Sequence, residues 1–123
     1  MNRHSLTLLC GLLAASSPGH ARPTEGEGQA VEMVAAACPG AQSEEVEECA
    51  YGLVERIDSR IEKALCNARP SDCAATFAAF KSHRDGLTQA YLLSSDDSVV
   101  ARVKASLYAL TVTSDFEREI ANR

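Results

Sequence analysis

The stretch CPGAQSEEVEECAYGLVERID, residues 38–58, holds two cysteines bracketing a run of four glutamates, a proline–glycine pair and the opening of an apolar rhythm. That rhythm decides the fold. Val46, Ala50, Leu53 and Ile57 recur at three- and four-residue steps and continue into Ile61 and Ala64, which is the spacing of one helix face. Ser43 stands where a side chain can cap free backbone N–H groups. Glu44, Glu45 and Glu47 follow in the first turn, where the helix dipole favours negative charge. A long helix is therefore expected to begin at Ser43 and to end at Arg69-Pro70, because proline cannot continue it.

Beyond that turn, Ser71 is placed to cap a second helix. Its stripe runs Cys73, Phe77, Phe80, Leu87 and Tyr91, with Arg84 on the same face. The cluster Ser94-Ser95-Asp96-Asp97 reads as a break and a new cap. Val99, Val103, Leu107 and Leu110 mark a third helix, which the β-branched Thr111-Val112-Thr113 weakens. Ser114 to Glu117 has the spacing of a capping box, so the last turns read as a separate short helix. Upstream, Ala30 to Ala37 suffices for two helical turns before Pro39-Gly40 stops them. No alternating strand pattern and no repeat occurs. The expected fold is all-α, a small antiparallel bundle of three main helices with short connections.

The N-terminus has a different character. Arg3, an apolar run from Leu6 to Ala15, and a polar tail ending in Gly19-His20-Ala21 form the three parts of a secretory signal peptide over residues 1–21. An apolar run of about ten residues is too short to span a bilayer, which takes roughly 20. Cys10 lies within that run and would leave with it. Residues 22–29, rich in glycine and glutamate, read as a flexible tail. Residues 30–123 then form one helical domain, since the remaining length supports a single modest core. The expected location is the periplasm or the medium, with no insertion into a membrane.

Cleavage after Ala21 removes one base and no acid, so the formal net charge of −5 becomes −5 − 1 = −6. Nucleic acid and anionic membrane surfaces demand a basic face and are poor partners for such a chain. Cys38, Cys49, Cys66 and Cys73 remain. An even count in a small exported domain reads as two disulfides. Metal binding is the weaker reading: the spacings of eleven and seven residues lack close Cys-x-x-Cys pairs, and His83 is the one histidine left. Of three possible pairings the local one is favoured, with Cys38–Cys49 tying the incoming segment to the first long helix and Cys66–Cys73 clamping the helical hairpin around Asn67 to Asp72.

Two charged groups call for a weighing of uses. Glu44, Glu45, Glu47 and Glu48 serve either as a solvated helix start or as an acidic recognition face for a basic partner. Arg84, facing inward, falls within a helical turn of Asp58 across an antiparallel hairpin centred near residues 69 and 70, so an inter-helix ion pair is expected. Catalytic signatures are missing: there is no Gly-x-Ser-x-Gly, His-Glu-x-x-His or glycine-rich phosphate loop, and no thiol is free if both disulfides form. The expectation is a non-enzymatic protein without a cofactor.

These residues together resemble the lysozyme inhibitor LprI-like family of small exported bacterial proteins. The likeness rests on CPGAQSEEVEECAYGLVERIDSRI, with Cys38, Cys49, Glu45, Glu48 and Asp58, and on Phe80-Lys81-Ser82-His83-Arg84-Asp85, which is similar to the family's aromatic-x-x-x-Arg-Asp segment. It covers about half of the chain that remains after Ala21. Phe80 stands where tryptophan is usual, Thr88 stands where the family commonly has a cysteine, and no cysteine follows Cys73. The resemblance implies an exported helical binding protein that inhibits a basic secreted hydrolase such as lysozyme. The alternative is a structural or assembly factor of the bacterial cell envelope.

Overall fold

The computed structural model describes residues 25–96 and 98–123, which form four helices. They are α1 (Glu25–Ala37), α2 (Glu44–Ala68), α3 (Cys73–Leu93) and α4 (Val99–Ala121). No strand occurs among the described residues. The expected signal peptide, residues 1–21, lies outside them.

The all-α reading holds, with three long helices and a shorter fourth. Three details differ from expectation. Helix α1 starts at Glu25, so most of the segment expected to be a flexible tail is helical. The reason is a close approach: a Cβ on Gly26 would lie 2.6 Å from Thr111 Cγ2, so glycine lets the start of α1 settle directly on α4. Secondly, α4 continues unbroken to Ala121. Thr111 and Thr113 direct their hydroxyls back to the carbonyls of Leu107 and Ala109, at 2.8 and 2.7 Å, and so fit the helix they were expected to interrupt. Ser114 caps nothing; its hydroxyl lies 3.5 Å from Met33 Sδ of α1.

The third difference is one of register. In α2 the buried face is Ala50, Val54, Ile57, Ile61 and Leu65. Leu53 is half-buried and Ala64 exposed, where both were expected inside. In α3 the inner face is Cys73, Phe77, Phe80, Arg84 and Thr88, while Leu87 and Tyr91 sit at its margin. In α4 Leu110 is inside, but Val103 and Leu107 are half-buried and Val99 is exposed. Small residues occupy the rest of that inner face: Ala101, Ala105, Ser106, Ala109 and Thr113.

Small side chains permit close approach, and α2 and α4 share the largest helix–helix interface of the bundle. Ion pairs fix their direction. Arg102 meets Glu44 and Glu47 near the start of both helices, and Arg60 meets Glu117 about four turns further along each, so α2 and α4 run parallel. Helix α3 runs against α4, since Phe80 stacks on Phe116 and Tyr91 on Tyr108. Helix α1 also opposes α4, with Gln29 near Arg118 and Val34 near Leu107. The topology is up-down-up-down. Helices α2 and α4 form its close diagonal, and α1 and α3 flank that pair without approaching each other.

The Arg60–Glu117 pair makes the bundle acid-sensitive. Arg60 donates from Nε and Nη2 at 2.6 and 2.9 Å, and this fork, with Arg60's charge, holds the Glu117 carboxyl below its ordinary value. A folded-state pKa below the unfolded one gives stability that is present above the ordinary carboxylate value and lost as pH falls through the folded value. Melting temperature is therefore expected to drop below about pH 4.5, and Glu117→Gln should flatten that part of the curve. An equal acid slope in the variant would assign the sensitivity to other carboxylates.

Candidate functional site

Parallel α2 and α4 bring both of their N-termini to one end of the bundle, together with the C-termini of α1 and α3. The connection from α1 to α2 closes this end in two successive tight turns. In the first, Pro39 and Gly40 occupy the centre, Gly40 has φ 80°, and the Ala41 N–H donates to Cys38 O at 3.1 Å, the arrangement of a type II turn. In the second, the Glu45 N–H donates to Gln42 O at 3.0 Å around Ser43, whose φ of 51° and ψ of −115° are those of the first central residue of a type II′ turn. That position favours glycine.

Ser43 is thus at the start of α2 but does not cap it with its side chain. Glu45 does the reverse half of a capping box, its carboxylate accepting the Gln42 N–H at 3.1 Å. Relief of the Ser43 strain is measurable. Ser43→Gly is expected to stabilise the bundle by about 1 kcal/mol in a urea titration, and an unchanged or lower midpoint would show that the turn carries no such strain.

A disulfide ties this loop to the second turn of α2: Cys38 and Cys49 are bonded with their Cα atoms 6.5 Å apart. Cys66 and Cys73, Cα atoms 4.9 Å apart, are bonded across the opposite end between α2 and α3. At that end Asp72, not Ser71, occupies the N-cap position of α3, and its Oδ2 accepts from Arg69 at 2.5 Å instead of capping the helix.

The four glutamates divide into two pairs. Glu44 and Glu47 face Arg102 of α4 across 3.6 Å each, so the bundle itself partly neutralises them. Glu45 and Glu48 are exposed, without an ion pair among the described residues, and line an open groove of about 520 Å³ between the 38–41 loop and α2. Arg56 stands at the far edge of that groove. Around the same end lie apolar side chains that the sequence reading left unassigned to any site. Leu93 is 77% exposed and Val100 63%, on the two sides of the α3–α4 connection, and Val99 is exposed beside them.

Halfway along the bundle Arg84 is buried. Its Nη1 donates to both Asp58 oxygens, at 2.7 and 2.9 Å, and reaches Thr113 Oγ1 at 3.3 Å, while Nε donates to Asp85 at 3.0 Å. Burial pushes the guanidinium pKa down, but hydrogen bonds and charge from Asp58 and Asp85 outweigh it and the balance is upward. Tyr51 lies nearby; burial, then the negative charges of Glu47 and Asp85, raise its phenol pKa, so it stays protonated at neutral pH. This cluster joins α3 to α2 by the ion pair with Asp58 and to α4 by the Thr113 hydroxyl. His83 is exposed on the outer side of α3. Among the described residues no three histidine, cysteine, aspartate or glutamate side chains are grouped to hold a metal ion, and no helix is long and apolar enough to cross a membrane.

These features define a small all-helical bundle with two disulfides and one end built from a cross-linked, acid-lined loop. Comparison of the chain with family models, with curated proteins and with solved structures finds no match.

Proposed function

We propose that the protein is an exported, non-enzymatic binding protein that presents the 38–49 end of the bundle to a basic secreted protein, and that its target is a cell-wall hydrolase of the lysozyme type. One observation carries the reading: the exposed carboxylates of Glu45 and Glu48, which have no ion pair among the described residues, a strained loop fixed by Cys38–Cys49, and exposed Leu93, Val99 and Val100 occur at the same end. Apolar contact area beside acidic side chains suits a cationic protein surface, and complementary charge speeds encounter. A loop already held by a disulfide loses less conformational freedom on entering a cleft. No residue of this chain has to perform chemistry. The likeness to the LprI-like family motif supplies the class of target, and the two disulfides suit the periplasm or the medium.

A lysis assay with purified protein and several lysozyme types tests the reading. Inhibition is expected at low salt and should weaken as salt shortens the Debye length from roughly 10 Å at 0.1 M to about 3 Å at 1 M. Replacing Glu44, Glu45, Glu47 and Glu48 together by glutamine should slow association about tenfold at low salt. Undiminished lysis at large molar excess removes the proposal.

The pairing of Glu44 and Glu47 with Arg102 favours a second reading, because half of the acidic run then serves the bundle. On that reading the protein is a structural or assembly factor of the cell envelope. A pull-down from envelope extract that retains endogenous proteins and leaves added lysozyme unbound would support it.

A further inference from the structure

Helix α4 is enclosed on most sides. Its alanine face meets α2, Thr111 and Ser114 meet α1, and Phe116 stacks on Phe80 of α3 with ring centroids 4.1 Å apart and planes 9° from parallel. On the outer side of that stack Phe116 is half-buried and Phe80, itself buried, lies at the bottom of an open groove. There α3 presents Thr76, Ala79, Phe80 and His83, and α4 presents Val112, Asp115, Phe116 and Glu119. Each set follows the i, i+3, i+4, i+7 spacing by which a helix meets a third helix. Between the two antiparallel stripes runs an apolar groove of about 630 Å³, floored by the two phenylalanines.

We propose that this groove is a docking site for an amphipathic helix of a partner protein, with an apolar stripe flanked by lysine or arginine. Charge selects the occupant. The groove is lined by two carboxylates and by no lysine or arginine. Asp115 is bonded to Arg118, while Glu119 is exposed and has no ion pair among the described residues. Lys81, the nearest lysine in sequence on α3, lies over the ring of Phe77, 4.4 Å from its centroid. A second copy of this chain, itself at −5, would bring like charge to the rim. A basic helix instead sets its apolar side chains on Ala79, Val112 and Phe116, above Phe80, and a cation beside Glu119, the helix-in-groove mode of recognition. The groove lies toward the Cys66–Cys73 end, away from the acid-lined loop, so it is independent of the lysozyme reading.

The test is fluorescence anisotropy of a labelled amphipathic peptide with one leucine face and one lysine face, titrated with the full chain, and of its leucine–glutamate counterpart. The lysine peptide is expected to bind and the glutamate peptide not to. Ala79→Arg, at an exposed helix position where folding is checked by the melting curve, should weaken binding about tenfold, and Glu119→Lys should weaken it severalfold. Replacing Glu44, Glu45, Glu47 and Glu48 by glutamine should leave affinity within about twofold, which separates this site from the loop end. The ring resonances of His83 should shift on binding. Equal affinity of the Ala79→Arg variant, or loss of binding in the glutamine variant alone, overturns the proposal. So does a peptide that fails to bind, whether because a second copy or the chain's own residues before Glu25 fill the groove.

Discussion

Asp58→Ala is expected to destabilise the bundle by about 3 to 5 kcal/mol, the range for removing one partner of a buried ion pair. The alanine leaves Arg84, only 6% exposed, with a full charge and two fewer acceptor contacts. Asp85 and the Thr113 hydroxyl remain, which places the effect toward the lower end of that range. The paired change Asp58→Leu with Arg84→Met removes both charges together, and its stability should return to within about 1 to 2 kcal/mol of the starting protein. Urea titration of Asp58→Leu, Arg84→Met and the double forms a mutant cycle with a coupling energy of at least about 2 kcal/mol. If Asp58→Ala cost no more than a surface substitution, water would be reaching Arg84 and the cluster would not be a buried one.

Breaking both disulfides should have a similar effect by a different route. The covalent loops span eleven and seven residues, and chain-entropy arguments assign each bond roughly 2.5 kcal/mol. Together that is about 5 kcal/mol, comparable with the whole stability of many domains of this size. Reductant is therefore expected to unfold the protein at 37 °C, or to lower its melting temperature by more than about 15 °C. Cys66→Ala with Cys73→Ala should lose about half of that. A melting temperature insensitive to reductant would show that packing of the four helices suffices alone.

Periodicity carried much of this architecture. Ile57 and Ile61 are fully buried where the three- and four-residue steps put them, and the helix turn at Arg69-Pro70 is where proline demands it. Asp58 and Arg84 meet because hairpin geometry alone sets their level. Apolar counting misled in α4. The true inner face, Ala101, Ala105 and Ala109, is weakly hydrophobic, while the larger Val99 is exposed, so packing distance and not side-chain size chose the face. The same holds at Gly26, whose part in helix α1 depends on how near Thr111 comes, a property of two segments 85 residues apart. Of the candidate site, the cysteines and glutamates were legible, since their spacing is local. The division of the glutamates by Arg102, and the Phe80–Phe116 groove, needed the register of α4 against its neighbours.

Both cross-links lie between Cys38 and Cys73, so α4 belongs to no covalent loop. Yet it packs against all three other helices, as α2 also does. The disulfides restrict the disordered chain only in its first three helices, and the last helix is held by packing alone, chiefly through its large interface with α2. Oxidation before α4 has been made would yield three stapled helices with their inner faces still partly uncovered, whose maturation waits on the arrival of the C-terminal helix. A nascent chain truncated before Val99 should therefore expose Ile57, Ile61 and Phe80 to whatever chaperone meets it.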